Sequence, residues 1–221
     1  MKACVLFDFD GTIMDTEPAI MASYGYLFEK YRTIDAFTEE RRIKVLGPAL
    51  EVMMAEFFPE RDPFQCIEEY RAFQKAHARN LIRPMPGAIE LLEKLREAGI
   101  PAGTVSTRYR KSLVELLEQN HMMEYMAVIL GHDDVLHDKP DPEGILLAKK
   151  ILGCDDCMYI GDSVMDVRAG KNAGAFAVAY PSNPGKKDAL LAEHPDAVIA
   201  SLEEAAEVIR LWRKSHGTHS V

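Results

Sequence analysis

Two carboxylates, Asp8 and Asp10, close an apolar run in the string Asp8-Phe9-Asp10-Gly11-Thr12. Alternate residues of a strand project to one side, so this spacing puts both acids on the same face of a strand end. Two carboxylates held that close need a cation. One of them can attack phosphorus while the other protonates the leaving oxygen and later takes a proton from water. Further along, Gly161-Asp162-Ser163-Val164-Met165-Asp166 opens a helix after a strand. Asp162 and Asp166, four residues apart, share a helical face and are hard oxygen ligands of the kind magnesium takes. A plainer role is open to both: Asp162 capping the helix and Asp166 favouring its positive end. Ser106-Thr107-Arg108 follows a strand and precedes a helix, so hydroxyls and free amides converge on one spot suited to phosphate. Ser106 could equally be a helix cap, and Arg108 is long enough to lie on the surface. In His137-Asp138-Lys139-Pro140-Asp141-Pro142 the helix starts at Asp141-Pro142, which leaves the Lys139 ammonium on a loop, free to balance anionic charge.

These clusters are far apart along the chain, and the elements between them must gather them. Residues 3–9 read as a buried strand cut off by a polar turn. No strand pattern appears between 16 and 82; residues 18–31, 49–58 and 63–81 read as helices. After the stiff connector Arg83-Pro84-Met85-Pro86-Gly87, short apolar strands alternate regularly with helices. That alternation predicts an α/β fold, a doubly wound, Rossmann-like parallel sheet whose sites collect at the carboxyl ends of its strands. The expected organisation is a core of residues 1–14 and 83–214, a helical cap domain of residues 15–82 inserted after the first strand, and a polar tail, 215–221, that frays.

A chain of 221 residues with 48% hydrophobic and 28% charged residues can bury one core with a smaller insert. Its formal charge of −9 argues against duplex nucleic acid as a partner, because such binding needs clustered Lys and Arg. The same charge would repel an anionic substrate unless cations were concentrated at the site. The first apolar run meets Asp8 too soon for a signal peptide or a membrane span, so the expectation is cytoplasmic with no membrane partner. The four cysteines form no disulfide framework, and Cys154-Asp155-Asp156-Cys157 lacks the second pair of a structural zinc site. His132 and His137 are not read as ligands, since imidazole beside hard carboxylates does not suit magnesium.

In order, these clusters resemble the D-x-D-G-T, hydrophobic-Ser/Thr, Lys-Pro and G-D-x-x-x-D motifs of the haloacid dehalogenase superfamily, over about residues 2–210. The resemblance implies Asp8 as nucleophile and Asp10 as general acid and base. It makes Asp8 and Asp162 ligands of Mg2+, with the Asp10 main-chain carbonyl as a third and Asp166 direct or through water. Ser106 would hold the transferring phosphoryl group, Thr107 and Arg108 would add contacts, and Lys139 would balance the charge of Asp8. The implied activity is a magnesium-dependent phosphatase acting on a small phosphorylated metabolite or pyrophosphate, as a monomer or homodimer. The helical insert would hinge near residues 14–16 and 83–87 as a mobile cap. Dehalogenation is disfavoured by Asp10. A phosphoglucomutase-like isomerase is disfavoured by Ile20, by Leu50 or a neighbour and by Gly161, at or near positions where those relatives carry a histidine, an arginine and an acid. A non-catalytic binding protein of the same fold would not need every position filled. Gly47-Pro48-Ala49-Leu50, Gly131-His132-Asp133-Asp134-Val135 and Ala169-Gly170-Lys171-Asn172-Ala173-Gly174 resemble bacterial phosphoglycolate phosphatases and the related pyrophosphatase, and Gly47-Pro48 tilts the expectation to pyrophosphate.

Overall fold

A computed structural model describes residues 2–46 and 48–216; Gly47 and positions 217–221 of the expected tail lie outside the described residues. The first strand, β1 (Ala3–Phe7), buries Cys4 to Phe7 completely, as a parallel strand covered on both faces requires. The chain then passes through β2 (Met14–Asp15) into four helices, α1 (Glu17–Tyr31), α2 (Glu39–Lys44), α3 (Leu50–Phe57) and α4 (Pro63–Phe73), and returns through β3 (Arg83–Pro84). Strict alternation follows: α5 (Ala88–Glu97), β4 (Ala102–Val105), α6 (Arg110–Gln119), β5 (Met126–Leu130), α7 (Glu143–Leu152), β6 (Asp156–Gly161), α8 (Val164–Asn172), β7 (Phe176–Ala179), α9 (Lys187–Ala192), β8 (Ala197–Val198) and α10 (Leu202–His216).

Among the described residues the main sheet has six strands in the order β5-β4-β1-β6-β7-β8, every pairing parallel. Strand order reverses beside β1, where β4 lies on one side and β6 on the other; a doubly wound sheet opens its crevice there. Register sets the depth of that crevice. Phe7 is opposite both Thr104 and Ile160, so Asp8, Ser106 and Asp162 emerge within two residues of one another's level. Beneath them Leu6, Val105, Leu130, Ile145 and Tyr159 pack into one core.

The chain divides into two compact units, Met1–Met14 with Pro84–Val221, and Asp15–Arg83. The second is helical, and its core is aromatic. Phe28 stacks on Phe37 with centroids 4.9 Å apart and tilts against Phe58 at 5.1 Å, while Tyr24 meets Tyr70 edge-on at 5.1 Å. On α1 these contacts come from Tyr24, Leu27 and Phe28, three and four residues apart on one face. α4 opens on an Asp62 cap, whose side chain accepts from the Phe64 N–H at 3.0 Å, with Pro63 in the first turn.

Two features differ from the sequence expectation. The helix expected over 63–81 stops at Phe73 and widens into a π-type turn, Gln74–Ala78, where buried Gln74 turns its amide onto the Tyr70 hydroxyl at 3.2 Å. α2 has no apolar periodicity to announce it. It is held instead by Arg41 and Arg42, which reach back to the carbonyls of Ala36 and Phe37 at 2.7 and 3.1 Å and lie over phenylalanine rings. Among the described residues no helix is long and apolar enough to cross a membrane.

Candidate active site

Asp8 stands one residue beyond β1, and its N–H continues the ladder by donating to the Ile160 carbonyl at 2.9 Å. The strand itself ends at Phe7, so the alternation argument for Asp8 and Asp10 does not extend to them. Asp10 belongs to the turn that follows, closed by bonds from Gly11 N–H to the Met14 carbonyl at 2.8 Å and from Met14 N–H to the Phe9 carbonyl at 3.0 Å. Only glycine fits at position 11. Its φ is +77°, and a Cβ there would lie 2.4 Å from Asp162 Oδ2.

Lys139 is the hub. Its Nζ donates to Asp8 Oδ1 at 2.6 Å, to Asp166 Oδ1 at 2.6 Å and to the Tyr159 hydroxyl at 3.2 Å, which uses all three of its protons. The loop that carries it is tied down on both sides. Glu143 accepts from the N–H groups of Leu136 and His137, both at 3.0 Å, and Asn172 donates to the Pro140 carbonyl at 2.9 Å.

Asp166 is a reciprocal cap of α8. Its Oδ2 accepts from the Ser163 N–H at 3.0 Å and the Ser163 hydroxyl at 2.5 Å, while its Oδ1 receives Lys139 and, at 3.2 Å, Tyr159. Gly161 makes room for this, because a Cβ there would sit 2.3 Å from the Cβ of Asp166. Asp162 precedes the N-cap Ser163, so it does not share a helical face with Asp166 as its spacing implied, nor does it cap the helix. It is buried and accepts from Lys186 Nζ at 2.7 Å and the Ser182 hydroxyl at 3.3 Å.

Ser106 is also buried. It is not the cap of α6, which is Tyr109; its hydroxyl instead accepts from the Arg108 N–H at 3.2 Å. Thr107 is half-buried in the same turn. Arg108 does not lie on the surface: its Nε and Nη2 grip Asp10 Oδ2 and Oδ1 at 3.1 and 2.6 Å.

Electrostatics show what this cluster lacks. Burial, then the neighbouring Asp166, pushes the Asp8 carboxyl well above the usual range, and burial raises Asp162 despite Lys186. Burial works to lower the Lys139 ammonium as well, but Asp166 and Asp8 outweigh it and hold Lys139 well above its ordinary value. Four carboxylates, Asp8, Asp10, Asp162 and Asp166, face three cations, Lys139, Arg108 and Lys186. With all four ionised the balance is negative before any phosphate arrives. Asp8, Asp162 and Asp166 each offer an oxygen within 4.8 Å of the others. A hard divalent cation beside Asp8 and Asp162 would favour their ionised forms and make the site attractive to an anion, so the donor set fits magnesium.

Tyr159, Ser163 and Lys186 were not singled out by sequence reasoning. Tyr159 hides in an apolar strand, with its one hydroxyl proton shared between the Val105 carbonyl at 2.9 Å and Asp166. Lys186 did carry a signal: Asn183-Pro184-Gly185 is a turn just past β7, on the carboxyl side of the sheet where sites gather. The cysteines are free thiols, and burial raises Cys154 to about 11, which leaves little thiolate.

The family model of haloacid dehalogenase-like hydrolases matches residues 5–180. Pyrophosphatase PpaX of Bacillus velezensis is 31% identical over 206 residues, covering 92% of this chain and 94% of its own. The protein of that name from Halalkalibacterium halodurans is 30% identical, covering 93% and 95%. Among solved structures, a chain from Bacteroides fragilis assigned as a haloacid dehalogenase-like hydrolase superposes with a TM-score of 0.84 at 27% identity, covering 93% of this chain and 100% of its own.

Proposed function

The chain belongs to the haloacid dehalogenase-like hydrolases, and on that footing we propose that it is a magnesium-dependent phosphatase working through an aspartyl phosphate on Asp8. The observation that carries this reading is Asp8 itself: a buried carboxylate at a sheet's carboxyl edge, fixed by Lys139 at 2.6 Å, with Asp10 two residues on. A carboxylate oxygen of Asp8 forms a bond to phosphorus as the bond to the leaving oxygen breaks. The leaving oxygen keeps that electron pair and takes a proton from Asp10. Asp10 then removes a proton from water, whose oxygen attacks phosphorus and releases phosphate and the Asp8 carboxylate.

Asp8, Asp162 and the Asp10 carbonyl would hold the magnesium, which when bound offsets the charge on the phosphoryl oxygens. Asp166, its lone pairs engaged by Ser163, Lys139 and Tyr159, orients the Lys139 ammonium toward Asp8. Ser106 and Thr107 present their hydroxyls to the phosphoryl group. The name of the relatives supports pyrophosphate, and a small phosphorylated metabolite fits the same chemistry. The helical insert acts as the cap in this reading, with Gly47 outside the described residues. Its basic residues are engaged locally: Arg32, Arg41 and Arg42 bind backbone carbonyls, and Lys44 pairs with Glu56 at 2.5 Å. The net charge of −9 and the free thiols support a cytoplasmic enzyme with no nucleic-acid partner.

The test is Asp8→Asn with and without chelator. Asp8→Asn abolishes hydrolysis of a chromogenic phosphate ester in folded protein, and chelation does the same to wild type until magnesium is restored. Turnover by Asp8→Asn above about a hundredth of wild type, a loss smaller than removal of one transition-state contact brings, would falsify the assignment.

A further inference from the structure

The acid and the arginine at the mouth of the site are bound in a way that conflicts with catalysis. Arg108 holds both oxygens of Asp10 in a two-point fork, and its third nitrogen, Nη1, donates to the Ser112 hydroxyl at 3.2 Å. Its guanidinium also lies 6.0 Å over the Phe9 ring, so the side chain is pre-set rather than wandering. To deliver a proton to a leaving oxygen and then accept one from water, Asp10 must have an oxygen released from that fork.

The pair is built to be exchanged. Its side chains are 15% and 26% exposed, against 7% and 9% for Lys139 and Asp8, so a solvent-borne anion meets Arg108 before it reaches Lys139. Only a group of like geometry competes for a guanidinium fork, namely a phosphate or a carboxylate. A hydroxyl does not. The N–H of Arg108 is anchored on Ser106, so the fork is tied to the residue placed at the transferring phosphoryl group. A second anion one or two bonds beyond the leaving oxygen would then lie within its reach.

We propose that Arg108 reads an anionic leaving group, exchanging Asp10 for the second phosphate or the carboxylate of the substrate and thereby freeing Asp10 for proton transfer. This rests on the phosphatase reading above. It deepens that reading to a substrate class: phosphate compounds whose leaving group carries its own oxyanion, with neutral alcohols disfavoured because they leave the Asp10 fork closed.

Three substrates of similar size separate the possibilities: pyrophosphate, phosphoglycolate and the neutral-tailed 2-hydroxyethyl phosphate. With magnesium, wild type prefers at least one of the two anionic-tailed compounds over the neutral one in kcat/KM, and the better of the two identifies the anion. In Arg108→Gln that preference ratio falls by about tenfold or more, the size expected from loss of a charge-assisted two-point contact. Arg108→Lys, which keeps the charge and loses the fork, recovers only part of it. Binding to the Asp8→Asn protein by calorimetry gives a readout without turnover: adding Arg108→Gln weakens phosphoglycolate selectively over 2-hydroxyethyl phosphate. A wild type that prefers the neutral compound, or a preference ratio that Arg108→Gln lowers by less than tenfold, overturns the proposal. Failure of the phosphatase reading looks different, since wild type would then turn over none of the three.

Discussion

The two units bury opposite kinds of side chain. In the sheet unit a cluster of charged groups is buried: the side chains of Lys139, Asp8 and Asp166 are 7%, 9% and 1% exposed and bonded to one another. In the helical unit the interior is a set of rings, Tyr24, Phe28, Phe37, Phe57, Phe58 and Tyr70, around Met53 and Met54. A buried ion has its place dictated by the partners it needs, and removing one leaves the others uncompensated. A ring cluster is held by area and shape, so it tolerates exchange at constant volume. Activity should therefore be concentrated in substitutions of the first kind, and stability without activity in those of the second.

The largest expected combined loss of stability and turnover comes from Lys139→Met, which leaves Asp8 and Asp166 buried together without their shared ammonium. Breaking such a pair costs about 3–5 kcal/mol, and loss of its charge from the transition state slows turnover by ~100-fold or more. Urea unfolding and kcat on a chromogenic ester measure the two. Adding Asp166→Asn should return part of the stability and none of the turnover. If stability and turnover recover together, Lys139 has only a packing role.

Phe28→Ala tests the other side of the comparison. It removes a ring that stacks on Phe37 and touches Phe57 and Phe58, at a cost of about 3–5 kcal/mol. Hydrogen exchange should show the loss in the amides of residues 15–83, with protection of β1, β4 and β6 retained. A uniform loss over both units would mean that they unfold as one and that the division by burial has no energetic counterpart.

How far the sequence was legible follows the same division. The strands of the sheet unit were readable because each is a short apolar run ended by a polar turn, and the parallel order follows from the helices between them. The approach of Asp8, Lys139, Asp162 and Asp166 rests on strand register, which no local pattern states; the motifs pointed to these residues only through their common position after strands. What could not be read was the bonding. Asp166 sits where its spacing allowed either a metal ligand or a charge favouring the helix's positive end, and the capping box it forms with Ser163, three residues before it, was not read. Arg108 was open between surface and site, because the length of its side chain permits both. In the helical unit α2 was missed, since its stability comes from arginines over rings supplied by other segments.

The smallest expected effect sharpens the comparison from inside the helical unit, at a polar atom placed where only rings are favoured. Tyr24 is 1% exposed, its ring is packed edge-on against Tyr70, and its hydroxyl has no hydrogen-bond partner among the described residues. Burial also drives its ionisation well above the usual tyrosine range, so the group stays neutral and simply lacks an acceptor. Tyr24→Phe keeps the ring and removes the orphan, which should raise stability by about 1 kcal/mol, or roughly 2–4 °C in Tm for a chain of this length. Tyr31, on the same helix, supplies the control. Its hydroxyl is bonded to Glu69, which also pairs with Lys30 at 2.9 Å, so Tyr31→Phe should lower stability where Tyr24→Phe raises it. Calorimetry of the two variants gives the signs directly. If both substitutions destabilise, the Tyr24 hydroxyl has a partner such as an ordered water, and the interior of the helical unit is less purely apolar than its ring contacts indicate.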